Sequence, residues 1–445
     1  MFLVQFTKNR EILNIPMKYL LIAVFTAYVL IKLFEYWLEY LNYTYLKKFG
    51  TDIPDGFEKV VNQEKLDKIR SYTIEKIRFG IFSSVYEAII LLVFLFTGLF
   101  NLYSKWLLDL NLPFIVSAIL FFLFIAYVHT LLQIPFSLYR TFKLERKFGF
   151  NTMTMKLWIS DLFKTLLIST VLLAVLCTGA LYLVSASPSL WWLWVWILFF
   201  IFTLFIMYIS PYILEPLFNK FVPVDDDELS ASLGALMKKV GIKISKVLKM
   251  DASKRTKHTN AYFTGIGGVK RIVLFDTMLD KMSKNEILSV VAHEGGHWEK
   301  KHIIKNIILF EIISLIFFYV AYCLIESNFL LLLFNIDIGH NFADIYLFPV
   351  KVFLLQFLFG IVMFPFSPVF HLLSRIFERQ ADRFAVKLIG TPGYLIEALI
   401  KLSADNLSNL HPHPFYSAFY YSHPGVQERI KYLKSLKINT KTNIE

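Results

Sequence analysis

Residues 191–213 read WWLWVWILFFIFTLFIMYISPYI, a run that contains no charged side chain. An α-helix rises about 1.5 Å per residue, so about 20 apolar residues cross the ~30 Å hydrocarbon core of a bilayer. Tryptophans cluster at the beginning of the run, and this residue type is enriched where a helix leaves the membrane. The stretch therefore predicts a transmembrane helix whose first turns lie at a membrane surface.

Other apolar stretches of spanning length surround this one, at residues 19–38, 81–103, 113–134, 162–184, 303–325 and 345–373. The 445-residue chain is 56% hydrophobic and only 18% charged, with a mean hydropathy of +0.55. Soluble domains are nearer ~45–50% apolar and ~25% charged. We therefore predict an all-α polytopic membrane protein with about seven transmembrane helices.

The basic residues alternate between loops. The loops after the first, third and fifth spans and the C-terminal tail are rich in Lys and Arg, whereas the second, fourth and sixth loops have one or none. The positive-inside rule places the basic loops and the C-terminus in the cytosol and the N-terminus opposite. Lys8, Arg10 and Lys18 oppose that orientation of the first helix. The net charge of +12 is dispersed rather than gathered in one patch, so we expect no nucleic-acid partner.

We expect four regions along the chain. Residues 1–213 form a membrane region with five helices, and residues 214–302 a cytosolic α+β unit. Residues 303–373 add two transmembrane helices, and residues 374–445 form a C-terminal cytosolic region. Within the α+β unit, residues 229–240 predict a helix, 246–250 and 271–275 predict strands, and the glycine-rich 264–268 predicts a turn. Cys177 and Cys323 fall in apolar spans, which favours packed thiols over a disulfide.

The sequence His293-Glu294-Gly295-Gly296-His297 follows the apolar run 287–292. Ser283 with Glu286 three residues later is a capping box, which indicates that a helix begins there. Two His four residues apart lie on one helix face and can share a metal ion. Glu294 can then act as general base on a metal-bound water.

A catalytic zinc usually takes three protein ligands and one water. The extended motif with a third His is absent, and His302 is out of register for it. Glu378 is the candidate third ligand, and Asp382, one turn later, can accept the second N–H of a ligand His. The alternative is that both acids are solvated charges paired with Arg379 or Arg383.

Two further polar residues are candidates for substrate contacts. Asn260 precedes a predicted strand whose edge could bind a peptide by β-augmentation, with Asn260 holding the substrate backbone. His423, in a His- and Pro-rich stretch, could donate a hydrogen bond to a developing oxyanion. The alternatives are an exposed strand Asn and a structural or solvated loop His. Metal binding by His411 and His413 is disfavoured, because the Glu378 carboxylate completes the site.

Together these residues resemble the type I CAAX prenyl proteases, which are integral-membrane zinc metalloproteases. The resemblance covers most of the chain and includes KFGFN at 147–151, EPLFNKF at 215–221, DASKR at 251–255, NAYF at 260–263, VLFDT at 273–277, the motif at 293–298, residues 378–382 and YSHP at 421–424. It implies a seven-helix barrel around a water-filled chamber and one Zn²⁺ per chain. It implies His293, His297 and Glu378 as zinc ligands, Glu294 as base, and roles near the substrate for Asn260, Asp382 and His423.

Gly295 departs from this family, in which a larger apolar residue is usual at its position. Two adjacent glycines in a helix cost roughly 1 kcal/mol each relative to Ala. We expect Gly295 to allow a neighbouring backbone or a bulky substrate to approach closely.

The resemblance implies an endopeptidase that removes the last three residues of a prenylated CAAX protein, cutting after the modified Cys. The expected partners are this substrate and membrane lipid, and we expect a monomer. Its location would be the endoplasmic reticulum membrane in a nucleated cell and the cytoplasmic membrane otherwise. Two alternatives stay open: a quality-control protease for unprenylated membrane-associated chains, and a transporter or channel with a structural zinc site.

Overall fold

The computed structural model describes residues 16–264, 269–336 and 343–436. Lys8, Arg10 and residues 265–268 of the predicted turn at 264–268 lie outside them, while Thr264 ends a strand. The helices are α1 (Met17–Phe49), α2 (Gln63–Phe96), α3 (Leu99–Asp109), α4 (Phe114–Tyr139), α5 (Met155–Ala186), α6 (Trp191–Ile209), α7 (Glu215–Phe218), α8 (Asp227–Lys238), α9 (Asp276–Leu279), α10 (Lys284–Glu299), α11 (His302–Ile325), α12 (Phe329–Leu333), α13 (Phe348–Met363), α14 (Ser367–Ile389), α15 (Gly393–Asp405), α16 (Pro414–Tyr420) and α17 (Val426–Ser435). The strands are β1 (Phe221–Pro223), β2 (Lys243–Met250), β3 (Ala261–Thr264) and β4 (Val269–Phe275).

Within these residues, seven helical stretches are long and apolar enough to cross a membrane. They coincide with the predicted spans and confirm the predicted fold class of a polytopic, mainly helical membrane protein. The stretches are Met17–Phe49, Gln63–Phe96, Phe114–Glu145, Met155–Ala186, Trp191–Phe218, His302–Ile325 and Asp344–Ile389.

Two predicted spans have different limits. The stretch 81–103 is not one helix, because Gly98 takes a φ of +87°, which glycine adopts without steric cost, and the chain turns there. The crossing helix α2 begins instead at Gln63, well before the apolar run. The last crossing is interrupted by a short 3₁₀ segment, Phe364–Phe366, and α14 then continues to Ile389. The helix therefore extends beyond the predicted end of the span at residue 373.

The seven spans contact one another in sequence order, and the last returns to the first. Between 0% and 33% of the most apolar window of each span is buried, which fits helices standing in a ring rather than in a solid bundle. The α1–α2 and α5–α6 pairs pack directly. The other contacts are Phe79 with Phe136, Tyr127 with Thr170, Trp196 with Ser314, Phe317 with Phe359, and Phe357 with Tyr28.

The α+β unit is a four-stranded sheet in the order β1-β2-β4-β3. The predicted strands and helix are confirmed, although β2 and β4 begin a few residues earlier than predicted. β3 is antiparallel to β4 and lies at the edge of the sheet, so among the residues that the structure describes no strand pairs with its other side. α8, α10, α14 and α15 pack together with this sheet around one apolar core, which includes Met237, Ile272, Leu274 and Val291. This core places α10 between β3 and the end of the seventh span.

Candidate metal centre

Helix α10 begins where the sequence predicts. Ser283 Oγ accepts a hydrogen bond from Glu286 N, and Glu286 Oε2 accepts one from Ser283 N at 2.7 Å, so the capping box is confirmed. Glu286 is buried, and Lys401 Nζ on α15 lies 2.6 Å from its Oε1. Burial alone would raise the pKa of Glu286, but the hydrogen bonds from Lys401 and Ser283 outweigh it and lower the pKa. The start of the helix is therefore fixed both to its own backbone and to α15.

His293, His297 and Glu378 come together at the contact between α10 and α14. His293 Nε2 lies 3.3 Å from His297 Nε2, and the two rings lie 3.4 and 3.2 Å from the Glu378 carboxylate oxygens. One ligand atom from each residue falls within 4.8 Å of the others. Two imidazole nitrogens and a carboxylate oxygen at these separations can hold one metal ion.

The surroundings of Glu378 fit a cation. The side chain is buried, and over the described residues its Oε2 receives no well-aligned hydrogen bond, although His423 Nδ1 lies 2.9 Å away and Arg429 Nη2 3.6 Å away. A buried carboxylate oxygen without a donor is costly unless a positive charge completes its coordination. The donor set also leaves room for a fourth ligand, as an open catalytic site requires.

The adjacent glycines of the motif, Gly295 and Gly296, have different neighbours. A Cβ at Gly296 would lie 2.9 Å from Ala381 Cα and 3.1 Å from Ala381 O, so Gly296 allows the backbones of α10 and α14 to approach. A Cβ at Gly295 would meet the side chain of Met237 on α8, at 3.1 Å from its Sδ. The expectation that Gly295 admits a neighbouring backbone or the substrate is therefore wrong, because Gly295 is buried against a flexible side chain.

Asp382 supports His293, as the spacing on α14 suggested. Asp382 Oδ1 lies 2.9 Å from His293 Nδ1, and the carboxylate is fully buried. Arg429 on α17 binds the same carboxylate through two hydrogen bonds of 2.7 and 2.6 Å. Burial would lower the pKa of Arg429, but its bonds to Asp382 outweigh burial and raise it, so the guanidinium stays charged. The alternative, in which Asp382 is a solvated charge paired with Arg379 or Arg383, is wrong. Asp382 is buried and pairs with Arg429, on a different helix.

Sequence reasoning missed Arg429 as a partner in this site. It lies 47 residues from Asp382 in a region of ordinary helical composition, and no local pattern identified it. It also missed the role of His302. His302 Nδ1 lies 3.1 Å from His297 Nδ1, and its other nitrogen lies 2.9 Å from Gln380 Oε1. The position of His302, only five residues after His297, could have indicated a residue that supports His297.

Glu294 is half-buried on α10, and among the residues that the structure describes it has no hydrogen bond or ion pair. Its carboxylate is available to a water at the centre. His423 lies beside Glu378, with 63% of its side chain exposed. The catalytic roles of Glu294 and His423 stay predictions.

Asn260 is not in contact with the metal group. It is exposed at the start of β3, and its Oδ1 accepts a hydrogen bond from Ala261 N at 2.8 Å. Tyr262, on the same strand, donates its hydroxyl to Glu215 Oε2 at 2.6 Å. His413 is also structural, since its Nδ1 accepts a hydrogen bond from Phe415 N at the start of α16.

Comparisons with known proteins agree with this geometry. The family model described as CAAX prenyl protease N-terminal, five membrane helices, matches residues 42–220, and that of Peptidase family M48 matches residues 223–437. CAAX prenyl protease 1 of Saccharomyces cerevisiae is 34% identical over 422 residues, covering 89% of this chain and 91% of the relative. An Arabidopsis thaliana CAAX prenyl protease 1 homolog is 34% identical over 417 residues, covering 91% and 95%.

A solved structure matches over nearly the whole fold. The crystal structure of S. mikatae Ste24p has a TM-score of 0.85 and 32% sequence identity, and the match covers 94% of this chain and 99% of that one. The similarity therefore includes both the membrane helices and the α+β unit.

Proposed function

The chain belongs to the CAAX prenyl proteases of peptidase family M48, and on this premise we propose that it removes the C-terminal three residues of prenylated CAAX proteins with zinc as its metal. It is an integral-membrane metalloprotease. The observation that carries the proposal is the meeting of His293, His297 and Glu378 beside the free edge of β3.

The three ligands would hold the ion from two helices. Two neutral imidazoles and one carboxylate are a donor set that zinc enzymes use, and the buried His293 and Glu378 are already oriented by contacts in the protein. Zinc bound here would polarise the scissile carbonyl and lower the pKa of its water. The chain's part is to fix this geometry, through Asp382 behind His293 and His302 behind His297.

Glu294 is the residue that moves the proton. Its carboxylate is adjacent to the first ligand and is not bound to another described residue, so it can take a proton from the attacking water and deliver it to the leaving amine. His423, which is exposed and lies beside Glu378, would donate a hydrogen bond to the oxyanion.

The edge of β3 is where the peptide backbone would bind. A peptide in extended form can add to this edge as a fifth strand through main-chain hydrogen bonds, and Asn260 lies at the start of that edge. The apolar surfaces of the membrane helices are suited to a lipidated Cys. The ligands, the base and their supporting residues all belong to one chain, so a monomer is sufficient for activity.

The decisive experiment compares a farnesylated CAAX peptide with its unprenylated twin on the purified protein, before and after metal chelation. We expect cleavage after the modified Cys, faster for the farnesylated peptide, and lost with the chelator until zinc is restored. Glu294→Gln should retain zinc, measured by elemental analysis, and lose roughly 10²- to 10⁴-fold in turnover.

The outcomes test four claims separately: the role of Glu294, the need for the prenyl group, the need for a metal, and proteolysis as opposed to transport. Wild-type turnover by Glu294→Gln would falsify its role as base. Equal cleavage of the twins would favour the quality-control protease. Chelator-resistant cleavage would exclude the metal mechanism, and solute flux through liposomes without any cleavage would favour the transporter.

A further inference from the structure

A cavity of about 630 Å³ opens beside the metal centre. One wall carries His423 and Arg429, and the opposite wall is formed by α1 and α2, which contribute Asn42 and Lys76. This volume is within the range of small-molecule and peptide-end sites, roughly 300–1,000 Å³. The cavity is continuous with residues of the proposed active site, so a bound substrate could extend into it.

The direction of β3 indicates which part of the substrate enters. Antiparallel pairing is the more stable arrangement at a sheet edge, so the peptide would run opposite to β3. Its C-terminal residues would then leave past Asn260 and the residues before it. Asn406, which lines the cavity, accepts a hydrogen bond from Thr259 N at 3.0 Å. The cavity therefore lies at the end of β3 where the residues after the scissile bond would emerge.

Lys76 provides a positive charge in this cavity. Its side chain is exposed, and its Nζ lies 5.0 Å from the centre of the Tyr72 ring. The neighbouring carboxylate of Glu145 is engaged elsewhere: Oε1 accepts a hydrogen bond from the Tyr72 hydroxyl at 2.8 Å, and Oε2 lies 3.3 Å from His258 Nε2. Over the described ranges, Lys76 has no ion pair.

Two other charged groups of the cavity, Arg429 and Glu39, already have hydrogen-bond partners. Arg429 is bound to the buried carboxylate of Asp382. Glu39 accepts a hydrogen bond from the Tyr416 hydroxyl at 3.0 Å through Oε1, while its buried Oε2 has no hydrogen-bond partner among the described residues. Among the described residues that line the cavity, Lys76 is thus the Lys or Arg side chain without an ion pair.

We propose that this cavity binds the three residues after the scissile bond and that Lys76 binds their free α-carboxylate. This rests on the proposed function and defines its substrate class as peptides that end three residues after the cut. Three extended residues span roughly 10 Å. An ammonium in the cavity beyond the end of β3 would pair with a carboxylate that ends the chain there and so favour release of a tripeptide.

The test uses three farnesylated peptides with the same sequence: one with a free C-terminal carboxylate, one with a C-terminal amide and one extended by a residue. For the wild-type protein we expect kcat/KM for the free acid to exceed that for the amide by roughly tenfold or more, since a charge-assisted hydrogen bond is lost. Lys76→Met should lower kcat/KM for the acid by the same factor and leave the amide unchanged. Lys76→Arg should restore the preference.

Lys68→Met is the matched control, because Lys68 is an exposed lysine on the same helix, and it should keep the wild-type preference. Equal cleavage of acid and amide by the wild type would overturn the inference and leave the proposed function intact. A full acid preference in Lys76→Met would overturn the role of Lys76. Failure of the wild type to cut any of the three peptides would count against the proposed function itself. If Lys76→Met also lost activity on the amide, Lys76 would be structural and the inference would fail.

Discussion

Replacing Gly296 by Ala should separate the two helices that bring the metal ligands together. The added Cβ would lie 2.9 Å from Ala381 Cα and 3.1 Å from Ala381 O, both backbone atoms of α14. Ordinary contacts begin at 3.4 Å, so α10 and α14 must move apart by about 0.5 Å (3.4 minus 2.9). Backbone atoms of two packed helices cannot relieve the contact by a change of rotamer, as a side chain can.

This displacement is large for a metal centre. His293 and His297 lie on α10 and Glu378 on α14, so the shift pulls the carboxylate away from both imidazoles. Metal–ligand distances tolerate about 0.2 Å. We expect zinc affinity to fall roughly ten- to hundredfold, as when a supporting contact is lost. Ala has a higher helix propensity than Gly, by up to about 1 kcal/mol, which offsets part of the overpacking cost. The free energy of unfolding should therefore change little.

The assay is competition for zinc with a chromogenic chelator, combined with peptide turnover at saturating zinc. Gly295→Ala is the matched control on the same helix, because its Cβ meets the flexible Met237 side chain, which can move. It should bind zinc and cleave as the wild type does. Wild-type zinc affinity and turnover in Gly296→Ala, or equal damage in both variants, would refute the reasoning.

Three other perturbations test the surroundings of the centre. His302→Ala removes the contact to His297 Nδ1 and should cost roughly ten- to hundredfold in zinc affinity, measured by the same competition; unchanged affinity would contradict its supporting role. Arg429→Gln leaves a fully buried carboxylate without its cation, so the protein should lose about 3–5 kcal/mol of stability, seen as a lower Tm, while a Tm equal to wild type would speak against this pair. Glu286→Gln breaks the buried pair with Lys401 and should also lower the Tm. Since the folded pKa of Glu286 lies below its ordinary 4.5, the stabilisation is present above pH 4.5 and is lost as the pH falls through the folded pKa; a difference between variant and wild type that does not narrow in acid would disprove it.

Local patterns predicted much of the fold because they depend on neighbours along the chain. Apolar runs of spanning length predicted the seven membrane helices, and the Ser283 and Glu286 pair predicted the start of α10. The errors were also local in origin. Average hydropathy over 81–103 does not show that Gly98 adopts a positive φ. Hydropathy also does not show that α14 continues as a helix beyond its apolar residues.

The site was predictable where helical spacing places residues on one face. Four-residue spacing puts His293 with His297, and Glu378 with Asp382, so each pair could be read from the sequence. That the two pairs meet follows from the packing of α10 against α14, and the family resemblance supplied this link in advance. The catalytic roles of Glu294, Asn260 and His423 stay predictions.

The sequence by itself determined that this chain spans a membrane, that a metal-binding helix begins at Ser283, and which residue types could serve as ligands and base. Only the tertiary structure decided that Gly296 rather than Gly295 allows close helix approach, that Arg429 neutralises Asp382, and that Lys76 faces the cavity beyond β3. The physical reason is distance along the chain. Periodicity and capping act within a few residues, whereas these contacts join helices that only the packed ring and sheet bring together.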